Sequence, residues 1–447
     1  MSSIISHFKT YGVAYLFILL HFFSGIVNML AILVTSIWLL WYFTVKKNVD
    51  IFLVFLLLIP SIAFERTSEN NDVQTTVSLF TNYNSVIFLG PIALSTRLTF
   101  SFAILARVLL NIRTIRFPLL TIAWFISIGL AVAGLIYAVI LESVNSSGLT
   151  VGFRIALSMG AVLLGKTFLL NEDYYKGLNK VIILSVLLLA AGLMAGHWFF
   201  ITFGFIPYFW LVVKPRILVL IPLFFSFNIL FNFSSTITII GVLLLSIVFF
   251  SFAHLNLFYN YILRNKFILG LLIAIPVIIT IYTLQLNASG SYDLSTIKGY
   301  AEFKLLGDRK PVWDATFQLI QQSFFVIPAG SSLEVYFDFL NKWEIWESGA
   351  HNIFLEIGKQ IGGVGMLLLS FVLLIMLYKT AIKVTSRLET VTIYCFLSVY
   401  IVLGITGNSL IYDGVGAFYW FLLGQFYCIL AQPKLPTMKQ PQTAVSF

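Results

Sequence analysis

Phe267–Leu284 reads FILGLLIAIPVIITIYTL. The run holds no charged side chain, and about 20 apolar residues is what an α-helix needs to cross the hydrocarbon core of a bilayer. Lipid offers the backbone no hydrogen bonds, so such a run crosses as a helix. Directly after it, Leu286 to Ala350 forms the longest polar interruption in the chain, and apolar sequence resumes past His351-Asn352. Runs of the same kind recur on both sides of this boundary. The 447 residues are 60% hydrophobic and only 10% charged, where a soluble domain averages about 25% charged. The chain is therefore predicted to be an all-α polytopic membrane protein.

Upstream, Tyr11 to Val45 is too long for one ordinary span and reads as two, breaking near Ser24-Gly25. Further spans are expected over Ile51–Phe64, Ser85–Ala106, Phe117–Leu141 and Val151–Leu170. Val181–Val213 again reads as two, with a turn near Gly196-His197, and Ile217–Phe231 and Ile237–Phe258 follow. Downstream of the polar interruption, spans are expected over Gly362–Tyr378, Val391–Ile405 and Ala417–Ala431. The total is about 12–14, depending on how the two long runs divide. The first run lacks a small-residue cleavage site and leads straight into more spans, so it reads as retained.

Basic residues concentrate in cytoplasmic loops. Seventeen of the 27 fall in segments that this topology puts inside, with both termini. The polar interruption holds eight acids against five bases, which places it outside, on the periplasmic face of a bacterium. The net charge of +9 is thus a topological signal and gives no reason to expect nucleic acid as a partner. The chain divides into an N-terminal bundle (1–285), a large outer loop (286–350), C-terminal spans (351–432) and a polar tail (433–447).

Within the loop, Trp313, Phe317, Ile320 and Phe324 recur at spacings of three and four, predicting an interfacial amphipathic helix over Arg309–Ser323 with Pro311 near its start. A second short segment, Leu333–Trp346, carries three other aromatics and two tryptophans, suited to anchoring at a membrane–water interface more than to sugar stacking. Next comes His-Asn-x9-Gly-x-x-Gly, from His351 to Gly365. Asn352 suits a helix N-cap, and glycines allow close helix packing. Neither role accounts for His351. Arg97 and Lys166 lie within apolar segments, where charges mark functional candidates. His21 and His254 read as packing residues.

This motif after a large late loop resembles the signature of the O-antigen ligase and O-antigen polymerase superfamily. Gly307-Asp308-Arg309-Lys310-Pro311-Val312-Trp313 is similar to that family's Gly-x-Arg…Trp segment. The resemblance is specific over Gly307–Gly365 and elsewhere rests on topology. It implies a GT-C-like membrane fold and glycosyl transfer at the outer face of the bacterial inner membrane. The donor would be an oligosaccharide on undecaprenyl diphosphate and the acceptor a second lipid-linked glycan or lipid A-core. No cofactor, metal or nucleotide is implied; a chain-length regulator is an expected partner. Arg309 would clamp the diphosphate, since a guanidinium matches it bidentately. His351 would be the general base, since histidine titrates near neutral pH. Asp308, Lys310, Trp313 and Asn352 would line the substrate site. The family's further arginine at the outer end of an earlier span is missing. His197 stands in that context; either it substitutes as a weaker phosphate donor or another cation does, Arg154 at the outer start of the sixth span being the best alternative.

Other chemistries have little support. Cys395 and Cys428 both sit in apolar segments, so a disulfide framework is not expected. No P-loop pattern or zinc-ligand spacing occurs. Asp308 with Asp314 is the one acidic pairing that would suit a metal-dependent transferase. A transporter of the same lipid-linked sugars would show internal repeats and broken helices, and the sequence contains no repeat of fixed period.

Overall fold

The computed structural model describes residues 2–23, 25–62, 87–89, 92–114, 118–141, 151–166, 174–190, 202–214, 219–220, 224, 236–254, 259–286, 299, 302–338, 341–346, 349–407, 410–411 and 414–431. In chain order the elements are α1 (Ser2–Leu20), α2 (Ile26–Val45), α3 (Ile51–Ile62), the strands β1 (Ile87–Leu89) and β2 (Ile92–Leu94), α4 (Thr96–Leu110), α5 (Pro118–Ile140), α6 (Val151–Met159), α7 (Tyr174–Ala190), α8 (Ile206–Val212), α9 (Thr236–His254), α10 (Tyr259–Arg264), α11 (Lys266–Gln285), α12 (Lys310–Gln322), β3 (Leu333–Phe337), β4 (Lys342–Trp346), α13 (Ile353–Ala381), α14 (Arg387–Thr406) and α15 (Val415–Ala431). Short 3₁₀ and π stretches join some of them.

Among the described residues, five helices, α2, α5, α11, α13 and α14, are long and apolar enough to cross a membrane, and five further apolar helical stretches are shorter. The chain is a helical membrane protein. Most of Ile217–Phe231, one of the expected spans, lies outside the described residues, as does the turn near Gly196-His197. The core centres on α14 and α15, whose side chains are buried almost throughout. On the peripheral helices α2, α5 and α11, exposed Leu, Ile and Val alternate with buried residues, the pattern of helices that face lipid on one side. At the opposite end of the molecule from the polar loop in the sequence topology, Asp50 accepts the N–H groups of Phe52 and Leu53 at 2.9 and 3.3 Å. It also takes the Tyr11 hydroxyl at 2.6 Å. Lys180 donates to Tyr11 at 3.3 Å, tying α1 and α3 to α7.

Two of the expected spans differ in kind from the sequence expectation. The fourth span does not begin at Ser85: β1 and β2 pair as an antiparallel hairpin, Ile87 opposite Leu94. α4 starts only where the Ser95 side chain accepts the Leu98 N–H at 3.2 Å. The sixth span is not one α-helix. After Met159 it tightens into a 3₁₀ stretch, Gly160–Lys166. Trp124 explains the change. Its indole N–H donates to the Ala156 carbonyl at 2.6 Å, the acceptor that Gly160 would use in a continuing α-helix. Its ring also fills the space that a Cβ at 160 would need, 2.2 Å away. In the polar loop, Leu333–Trp346, read from the sequence as an aromatic anchoring segment, is the β3–β4 hairpin, with Leu333 opposite Trp346. Leu333, Val335 and Phe337 all face inward, a period of two that belongs to a strand. They pack on Val312, Ala315 and Leu319 of α12.

α13 is broken at Gly362, whose φ of 82° and ψ of 171° lie in a region that only glycine occupies readily. The loop after α12 fills the break. Val364 N–H donates to the Phe324 carbonyl at 3.1 Å, where an unbroken helix would use Gln360. A Cβ at 362 would lie 3.0 Å from the Phe325 carbonyl oxygen and 3.1 Å from that of Phe324. Gly362→Ala is expected to destabilise the protein by roughly 1–3 kcal/mol from backbone strain alone. Thermal unfolding in detergent checks this. Gly270→Ala, where nothing lies within 4 Å of the new methyl, is the control and should leave the midpoint unchanged or slightly raised.

Candidate functional site

The site is built where the ends of α11 and α14 meet the starts of α12 and α13. Phe303–Arg309 forms a wide π turn, and the Lys310 N–H bonds back five residues to Leu305. Pro311 follows in the first turn of α12, where a missing N–H costs nothing. Such widened turns occur often at functional sites.

Two consecutive cations leave this turn and fasten two helix ends. Arg309 Nη1 donates to the Thr406 carbonyl at 3.0 Å, at the last residue of α14. Lys310 Nζ reaches the Leu284 carbonyl in the last turn of α11 at 3.4 Å and Asp314 at 2.6 Å. Helix C-termini carry the negative end of the backbone dipole, so both placements are favourable. Arg309 is half-buried, and its bond to Thr406 is the one it makes among the described residues. Burial lowers the guanidinium from its ordinary pKa while Asp308 opposes that shift. An arginine starts so high that it stays charged. Since a guanidinium has five N–H donors, much of the fork remains for an anionic ligand. Asp308 is half-buried beside it.

Trp313 carries the connection to His351. Its ring is fully buried and its Nε1 donates to the Ala350 carbonyl at 2.8 Å. This ring was expected to contact substrate; it faces the protein interior and has its polar atom occupied. The inward face of α12 is Val312, Trp313, Thr316 and Ile320. Phe317 and Phe324, expected on that face, are 38% and 41% exposed. The hairpin that packs on Val312 and Leu319 shifts the buried face by one position.

His351 is half-buried and has a left-handed backbone, φ 53°, which is uncommon for a residue with a side chain. Both its neighbours are fully buried. Asn352 caps α13 by accepting the N–H groups of Phe354 and Leu355 at 3.1 and 3.2 Å. Its amide donates to Thr280 of α11 at 2.6 Å. With no exposed surface, Asn352 is a structural cap and not the substrate contact expected for it. Lys310, 7% exposed and paired to Asp314, likewise serves the fold.

Arg154 lies on α6, which packs on the first segment of α13. Gly152, two residues before it on α6, meets the Gln360 carbonyl so closely that a Cβ would lie 2.7 Å from it. Gln360 is eight residues along α13 from Asn352, about 12 Å at the helical rise. Arg154 itself is half-buried, two residues further along α6 than Gly152. His197 lies outside the described residues.

Sequence reasoning passed over Glu356. It is 1% exposed, its Oε2 accepts the Ala350 N–H at 2.6 Å, and its Oε1 accepts Gln360 Nε2 at 3.0 Å. A signal was present: Glu356 is the one acid in an otherwise membrane-like helix, and such charges are functional candidates. No group of three or more His, Cys, Asp or Glu is arranged to hold a metal ion among the described residues. Comparison of the chain with protein-family models, with curated proteins and with solved structures returns no match.

Proposed function

We propose that this chain is an inner-membrane glycosyltransferase of the O-antigen polymerase type, a GT-C-like protein of 12–14 spans with its site on the periplasmic face. It would join undecaprenyl-diphosphate-linked oligosaccharide repeats into a surface glycan. The observation that carries the reading is the Trp313–Ala350 bond. The two halves of the sequence signature, Gly307–Trp313 and His351–Gly365, are separated in sequence and joined at that bond, with Arg309 on one side and His351 on the other.

Each residue then has a task that its surroundings suit. Arg309, fixed at one nitrogen by Thr406, presents its remaining N–H groups to the donor diphosphate. His351 takes the proton from the acceptor hydroxyl. The hydroxyl oxygen forms the new bond at the anomeric carbon as the bond to the diphosphate oxygen breaks. The leaving group is undecaprenyl diphosphate, and in-line attack inverts the anomeric centre. Transfer to lipid A-core by a ligase would use the same two residues.

The break in α13 at Gly362 favours a second reading, a transporter of lipid-linked oligosaccharide, because discontinuous helices commonly form transport sites. One experiment separates the three. A strain deleted for this chain should make lipopolysaccharide with a single repeat unit. Core-only lipopolysaccharide, with polymer accumulating on the lipid carrier, would identify a ligase. Lipid-linked repeats trapped on the cytoplasmic face would identify a transporter. An unchanged glycan profile would remove all three.

A further inference from the structure

Ala350, the residue before His351, is held at both of its backbone polar groups. Trp313, on α12, donates to the Ala350 carbonyl at 2.8 Å. Glu356, one turn into α13, accepts the Ala350 N–H at 2.6 Å. Ala350, Trp313 and Glu356 are all 1% exposed or less. On the other side of His351, Asn352 is fixed by its cap and by Thr280. Turning the Ala350–His351 peptide would therefore break the buried bond from Trp313, and Glu356 holds the residue that carries that carbonyl. A left-handed backbone is unfavourable for a side-chain-bearing residue by about 1–2 kcal/mol, so something must impose it.

We infer that Glu356, with Trp313 opposite it, is a positioning residue that holds His351 in the strained conformation from which it acts as base. This rests on the reading of His351 given above. The carboxylate is suited to the task because it accepts two hydrogen bonds at once, from Ala350 N–H and from Gln360, and so couples the turn to the rigid first segment of α13.

The consequence is specific. Glu356→Gln can keep the geometry: its amide oxygen accepts from Ala350, and its NH₂ donates to Gln360 Oε1, which has no partner in the structure, once that amide turns over. Glu356→Ala cannot. Misplacing a catalytic group by about 1 Å costs on the order of 10²-fold in rate.

The test uses the full-length protein, purified in detergent. The donor is the undecaprenyl-diphosphate-linked repeat unit extracted from membranes of the deletion strain. Glu356→Ala should lower the saturated rate about 100-fold, the loss attributed to misplacement, with the half-saturating donor concentration unchanged. Glu356→Gln should recover at least about ten-fold of that loss. Trp313→Phe, which keeps the ring and removes Nε1–H, should lower the same rate. In a His351→Ala background, adding Glu356→Ala should change the residual rate no further, since a residue acting through His351 has nothing left to act on. Wild-type rate in Glu356→Ala, a Gln variant as slow as the Ala variant, or a further fall in the double variant would each overturn the inference. If Glu356→Ala does not fold, Trp313→Phe and Glu356→Gln decide it by the same readouts. Full activity of His351→Ala alone would instead overturn the proposed function, and that outcome is separate from the others.

Discussion

His351→Ala is expected to abolish long surface glycan while the protein stays folded in the membrane. The imidazole is half-exposed, so its loss opens no large cavity. Its neighbours keep their own fastenings: Ala350 to Trp313 and Glu356, Asn352 to Thr280. What disappears, on the proposed reading, is the group that takes the acceptor proton, and removing a general base costs about 10²–10⁴-fold in rate. His351→Asn sharpens the test. Asparagine tolerates a left-handed backbone and still hydrogen-bonds, but it cannot accept the proton. The measurement is the glycan ladder from a deletion strain carrying each variant, beside membrane-protein abundance. A normal ladder from either variant would sink the assignment of His351 as base.

Arg309→Lys is expected to reduce polymer formation by about two orders of magnitude, equivalent to roughly 2.7 kcal/mol of transition-state stabilisation. Charge is retained, so a purely Coulombic role would survive. Geometry is not retained. The guanidinium spends one nitrogen on Thr406 and keeps the rest of a planar fork for a second partner. An ammonium is a single point with three donors, and it cannot hold the end of α14 and span two phosphate oxygens together. The loss should appear at saturating donor as well as in donor affinity. Full activity of the lysine variant would reduce Arg309 to a fastener of α14.

The membrane class and the positions of α5, α11, α14 and α15 were legible because apolar runs of span length admit one backbone solution in lipid. The α1–α2 break at Gly25 was legible from length alone. The β3–β4 hairpin was not, although Leu333, Val335 and Phe337 alternate. Aromatic residues surround them on both faces and obscure the period of two. The 3₁₀ stretch at Gly160 depends on Trp124, a residue on another helix, and no local pattern carries that. In the site, Arg309 and His351 stood out by residue type. The roles of Trp313, Lys310 and Asn352 did not, because the same residue types serve ligands and fold equally well. Only their burial and partners separate the two uses. Glu356 was passed over because it falls among the nine residues between Asn352 and Gly362, which the motif leaves unspecified.

If His351 is the base proposed above, its left-handed backbone sets stability against activity at one position. Glycine there would relieve a strain of about 1 kcal/mol and yield a sturdier but inactive protein. A screen that selects variants only for survival on heating would therefore favour replacement of this histidine. Thermostabilised versions prepared for structural work are best made with position 351 held constant, and a gain in melting temperature from changing it would be a sign of lost chemistry.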